Sequence, residues 1–280
     1  MYPTQWGLTK SPFPSGIDLQ LFYEGFNQRE ALARLRYLTS HPSRCGLMLG
    51  NAGFGKSHLL QLFAKECRLH GKAVALVDLL GLSTHEFLWQ LGIQLEAAVH
   101  IENQPPRLFR QLTDRFQELS FERQRIVLLL DNVDQVGPDL RTLLLRLAQN
   151  ETTRATGLTL VFSANASHST QLGERLLDLV DLRIDLEAWD ELDTIGYLQL
   201  ALVAVGLEQP LFNDEGISEL HRISGGVPRK INRLAEHSLL VSSQMINSQD
   251  PDSSMSDSRL MIGAKAVQAA DELLSLPCTG

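Results

Sequence analysis

Residues 50–57 read Gly50-Asn51-Ala52-Gly53-Phe54-Gly55-Lys56-Ser57, a complete G-x-x-x-x-G-K-[ST] loop. These residue types at this spacing suit one chemistry, the cradling of a nucleotide's phosphates beside a divalent cation. Glycines let a backbone close around an anion and aim its N–H groups inward. Lys56 is expected to reach the β- and γ-phosphates, and the Ser57 hydroxyl to sit on Mg2+. His58 then falls beside the loop at the start of a helix whose positive end faces the same anion. The eight histidines show no metal-ligand spacing, so His58 and His70 are read as neighbours of the loop or as helix-surface residues.

A second constellation is Ile126-Val127-Leu128-Leu129-Leu130-Asp131, an apolar run ending in an acid. Asp131 is expected to hold Mg2+ through its water shell, near Ser57. A hydrolytic nucleotide enzyme usually has Glu at the next position, where it orients the attacking water. Here the residue is Asn132, which cannot accept a proton but can position water. Asp134 stands close enough in sequence to supply a carboxylate. Three alternatives follow: slow hydrolysis, hydrolysis carried by Asp134, or hydrolysis completed by another subunit.

Asn165 ends the run Leu158–Asn165, where a polar side chain either senses the γ-phosphate or simply forms a turn. Gly225-Gly226-Val227-Pro228-Arg229 reads as a helix stop followed by a helix start. Arg229 in a first turn opposes the helix dipole, which points to an anionic partner.

The elements that must position these residues alternate. Strands are expected at 45–49, 73–79, 126–130, 158–163 and 183–186. A helix over 28–38 precedes them, with Asn27 as its cap and Glu30 three residues on. Further helices are expected after the loop to about Gly71, from the Ser83-x-x-Glu86 capping box to about Val99, from Pro105-Pro106 onward, and over 140–148. Leu108, Leu112, Phe116 and Leu119 fall on one face of the helix after Pro105. This is an α/β chain with a parallel sheet and helices on both faces. From Asp190 the pattern becomes all-helical, with helices at 191–205, 214–223, 228–243 and 259–274 and a polar, mobile loop over 247–258. The chain therefore divides into an aromatic, Pro-rich arm (1–27), an α/β core (28–188) and a small all-α segment (189–280).

With 280 residues, 44% hydrophobic and 21% charged, the composition is that of a globular protein. The net charge of −8 leaves no electrostatic footprint for nucleic acid. Cys45, Cys67 and Cys278 form no pair at motif spacing and read as reduced thiols, which suits a cytoplasmic location. No apolar run approaches the ~18–20 residues that span a bilayer, and the N-terminus has no signal core. A membrane role would need a partner.

Together these residues resemble the AAA+ ATPases. Gly50–Ser57 matches Walker A, Ile126–Asp131 Walker B, Asn165 sensor 1, and Gly225–Arg229 sensor 2 in a helical lid. Within that family the chain is similar to the ExeA-type general secretion ATPases and to the TniB/TnsC-type transposition ATPases. Trp6-Gly7-Leu8, Ser11-Pro12-Phe13, Gln28–Leu35 and Gly226–Leu234 carry this finer likeness. The resemblance implies a three-layer αβα P-loop core with a helical lid. It also implies ATP and Mg2+ as ligands, Phe13 and Phe26–Arg29 bordering the adenine, and Arg229 on the γ-phosphate. It implies a homo-oligomeric ring or filament with an arginine finger from a neighbour, for which Arg175 and Arg183 are the candidates. Leu179 stands roughly where that arginine is expected. No peptidoglycan- or cargo-binding domain is expected after the lid.

Three functions are weighed on this basis. The first is a cytoplasmic ATPase that turns ATP·Mg2+ hydrolysis into conformational change or assembly, with a secretion-related protein client. The second is a TniB/TnsC-like ATPase on DNA, which the charge does not support. The third is a nucleotide switch that does not hydrolyse.

Overall fold

The computed structural model describes residues 6–41, 45–149, 155–247 and 261–275. The expected loop over 247–258 and Cys278 lie, but for Asn247, outside these described residues. The chain forms two units, Asn27–Glu187 and Met1–Phe26 together with Ala188–Gly280. The N-terminal residues therefore belong with the helical segment rather than forming an arm of their own.

The α/β unit begins with helix α1 (Phe26–Ser40) and continues through β1 (Cys45–Gly50), α2 (Lys56–Leu69), β2 (Ala73–Asp78) and α3 (Thr84–Gln94). Then follow α4 (Pro105–Phe121), β3 (Ile126–Asp131), α5 (Pro138–Gln149), β4 (Thr159–Asn165), a one-turn helix Glu174–Leu177 and β5 (Leu182–Asp185). The five strands run in the order β2-β3-β4-β1-β5, and every pairing is parallel. Their C-terminal ends therefore share one edge of the sheet. β1 and β3 are buried along their whole length, as continuous apolar runs in a parallel sheet should be. The face of α4 predicted from its spacing is buried at Leu108, Leu112, Phe116 and Leu119. Each such side chain contributes about 1.5–3 kcal/mol by leaving water.

Local signals behave unevenly. Ser83 and Glu86 form the expected capping box on α3. Asn27 does not cap α1, because the helix already begins at Phe26; Glu30 instead pairs with Arg34 one turn on, at 2.5 Å. α3 stops at Gln94 rather than near Val99. Glu96 takes a left-handed conformation (φ 57°), Ala97 N–H bonds Gly92 O at 2.9 Å, and Val99 folds back onto Gly92.

The second unit holds α6 (Glu191–Val203), α7 (Asp214–Ser224), α8 (Pro228–Asn247) and α9 (Ala264–Ser275). Its only strand-like feature among the described residues is an isolated bridge between Phe212 and Ile262. Its core gathers Trp6, Leu8 and Phe13 with Trp189, Tyr197, Phe212 and Ile231. No described helix is long and apolar enough to cross a membrane.

Candidate phosphate-binding site

The loop between β1 and α2 turns through Gly53 and Gly55, both at φ 88°, a region that costs side-chain-bearing residues roughly 1–2 kcal/mol. Gly55 precedes α2 with no side-chain cap, so the helix presents its N-terminal backbone to the loop. Asn51 and Ala52 are exposed, and Gly53, Phe54, Ser57 and His58 half-buried. Lys56 is buried, its Nζ donating to Gly50 O at 2.7 Å and Asn51 O at 3.2 Å. The ammonium is thus held inside the loop.

Asp131 closes the site from β3. It is 5% exposed and accepts hydrogen bonds from Ser57 Oγ at 2.5 Å, from Asn132 N–H at 3.0 Å and from Ser163 Oγ. Ser163 was not legible as a site residue. Its only signal is a hydroxyl near the end of the apolar run of β4, one strand away from Asp131. The adjacent Ser57 and Asp131 oxygens are hard donors of the kind Mg2+ takes, so the pair fits that ion.

Asn132 adopts a left-handed conformation (φ 59°, ψ 40°), which Asn tolerates better than Glu. Its side-chain amide donates to Asp78 Oδ1 at 2.7 Å. Asp78 ends β2 in register with Asp131, as a second apolar strand ending in an acid.

Asp134 is not placed to supply a free carboxylate. Its side chain is 2% exposed, and three donors hold its oxygens. Asn165 N–H reaches Oδ1 at 3.1 Å, Gln135 Nε2 reaches Oδ2 at 2.8 Å, and His168 Nδ1 lies 3.0 Å from Oδ2. Burial pushes this carboxyl up, but the bonds from His168, Gln135 and Asn165 outweigh it and hold the group below the usual carboxylate range. Asp134 thereby anchors the turn after β4 to the end of β3. Asn165 itself pairs with Gly50 in the sheet, and its Oδ1 accepts from Ser167 N–H at 3.2 Å and Ser167 Oγ at 2.9 Å. The side chain forms the turn.

The other expected residues divide. Arg29 and Arg175 are exposed. Arg183, on the edge strand β5, is paired with Asp185 at 2.8 Å. Leu179 is partly buried against the core of the α/β unit, which accounts for an apolar residue where an arginine was expected. Phe13 is 1% exposed, with Tyr197 and Phe212 as ring neighbours at 6.3 and 6.2 Å, so its ring is part of the core of the helical unit. The Ser11-Pro12-Phe13 and Asn232 motifs are tied together inside the helical unit. Ser11 Oγ donates to Glu236 at 2.5 Å, and Asn232 Nδ2 donates to Pro14 O at 2.9 Å. Gly226 is required because a Cβ there would meet Trp189 O at 2.1 Å. Arg229 is exposed in the first turn of α8.

Both described cysteines, Cys45 and Cys67, are buried and free. Burial pushes the Cys45 thiol up to about 12, with the Asp181 charge adding to it, and burial pushes Cys67 to about 11. Neither is a nucleophile at neutral pH.

Residues 39–172 match the family model of the AAA domain. The chain is 27% identical over 251 residues to General secretion pathway protein A of Aeromonas hydrophila, covering 86% of this chain and 44% of that protein. It thus spans less than half the length of that curated relative. Among solved structures it is similar to Cdc6p of Pyrobaculum aerophilum (14% identity, TM-score 0.69, 95% of this chain and 74% of that one). It is also similar to the ORC2 protein of Aeropyrum pernix in its ADPNP-ADP complexes (16%, 0.64, 97% and 76%). The Thermotoga maritima RuvB Holliday junction branch migration motor is a third (13%, 0.61, 93% and 74%). At these identities the structural likeness concerns the fold. With its parallel sheet followed by a helical segment, the chain is similar to the AAA+ ATPases, and residues 39–172 carry the match to the AAA domain.

Proposed function

We propose that the chain binds ATP with Mg2+ in the loop 50–57 and hydrolyses it to drive conformational change or assembly. The observation that carries this reading is the meeting of Lys56, Ser57, Asp131 and Ser163 at the C-terminal edge of one parallel sheet. Lys56 would exchange its loop carbonyls for phosphate oxygens and neutralise charge as it develops. Ser57 and Asp131 would hold Mg2+, which supplies electrostatic stabilisation of the same charge. Ser163 keeps the Asp131 carboxylate aimed at Ser57. Asp134 fixes the end of β4, and with it Asn165, against the loop.

A homo-oligomer with Arg175 or Arg183 offered to a neighbour's nucleotide belongs to the same reading, as does a cytoplasmic location. The likeness to a general secretion pathway protein supports a secretion-related client. A second reading, a switch that binds ATP without turnover, is favoured by Asn132 at the position of the usual Glu.

ATP turnover measured over a range of protein concentrations tests the choice. Turnover per subunit that rises with concentration supports an assembling ATPase. ATP bound without turnover at every concentration supports the switch.

A further inference from the structure

The site lacks a carboxylate directly after Asp131, and Asp134 is walled in by its three donors. A further acid stands at this end of the sheet. Asp78 ends β2 one strand spacing, about 4.8 Å, from Asp131. All strands are parallel, so Asp78, Asp131 and the Gly50 end of β1 lie on the same edge of the sheet. Asp78 is exposed, whereas Asp134 is not. Its Oδ1 accepts from Asn132 Nδ2 at 2.7 Å and from Leu80 N–H at 3.1 Å. Its Oδ2 has no donor among the described residues, which leaves that oxygen for water. Asn132 therefore does not merely lack the acid. Its amide grips one oxygen of a neighbouring acid and so orients the other.

We propose that Asp78, oriented by Asn132, is the proton acceptor of this ATPase, the acid and amide together standing in for a Glu at position 132. The inference rests on the hydrolytic reading above. In the step, a water oxygen bonds to the γ-phosphorus as the bond from that phosphorus to the β,γ-bridging oxygen breaks. ADP leaves with the electron pair, and the water's proton passes to Asp78 Oδ2 and then to solvent. Asn132 acts as a positioning residue. Its left-handed backbone gives a physical reason for an amide there, since Asn and Asp accept that conformation with less strain than Glu.

The test compares wild type, Asp78→Asn, and the exchange variant Asp78→Asn with Asn132→Asp. Each is assayed for ATP turnover, ATP affinity and thermal unfolding. Asn at 78 keeps the shape and can still accept from Leu80 N–H, so affinity and unfolding midpoint should stay at wild-type values. A positioned base contributes on the order of 100-fold or more, so turnover should fall by at least about 10-fold. The exchange returns a carboxylate to the pair without adding strain, and should recover several-fold of that loss. Turnover within about twofold of wild type in Asp78→Asn overturns the proposal while leaving the ATPase reading intact. So does a loss that the exchange fails to relieve, which would mean that Asp78 only shapes its turn. Wild-type protein that binds ATP without turnover at every concentration overturns both readings.

Discussion

In the α/β unit the buried polar side chains Lys56, Asp131, Asp134 and Ser163 come from different elements and meet at one end of the sheet. In the helical unit the buried hydroxyls of Ser224 and Ser238 instead bond carbonyls three or four residues back, His221 O and Leu234 O. The first pattern needs long-range register and makes a site. The second is local and only removes an unsatisfied group from a core. Motif residues follow the same divide. Lys56 of the phosphate loop turns into the loop itself, whereas Ser11, Phe13 and Asn232 hold the helical unit together.

Lys56→Ala should break the first half of the comparison most sharply. Losing charge-assisted bonds worth about 1.5–3 kcal/mol each should weaken ATP binding on the order of 100-fold or more. The fold should survive, and a nucleotide titration beside a circular dichroism spectrum reads both. Near-wild-type affinity would remove the loop from the site.

Phe13→Ala probes the second half. A fully buried phenylalanine should cost about 3–5 kcal/mol, visible as an early unfolding transition in denaturant. Unchanged stability with weakened ATP binding would instead return Phe13 to the border of the base.

The smallest effect concerns Asp134→Asn. The folded carboxyl lies below its ordinary range, so it is ionised in the folded chain at pH values where the unfolded chain binds a proton. Its stabilisation is complete above the unfolded value of about 3.9 and is lost as pH falls through the folded one. Stability at pH 7 should drop by about 1 kcal/mol in the variant, and the gap from wild type should close at acid pH. A gap that widens on acidification would contradict the hydrogen-bond assignment.

The phosphate loop, Asp131, the apolar strands and the face of α4 were legible because each is written locally, in spacing, period and turn residues. The cap at Asn27 and the end of α3 near Val99 were misread for the complementary reason. The chain entering α1 was already helical at Phe26, and Val99 folding back on Gly92 decided where α3 ends.

The sequence alone thus determined which residues could hold a phosphate and that strands and helices alternate around them. Tertiary structure alone decided that Ser163 steadies Asp131, that Asp134 is enclosed while Asp78 is open, and that Phe13 is core. These outcomes depend on the order β2-β3-β4-β1-β5, which sets β4 between β3 and β1 although two strands and four helices separate β1 from β4 along the chain. Pairings between distant segments are chosen by the joint burial of several apolar faces, and no local pattern in the chain records which acid will end beside which donor.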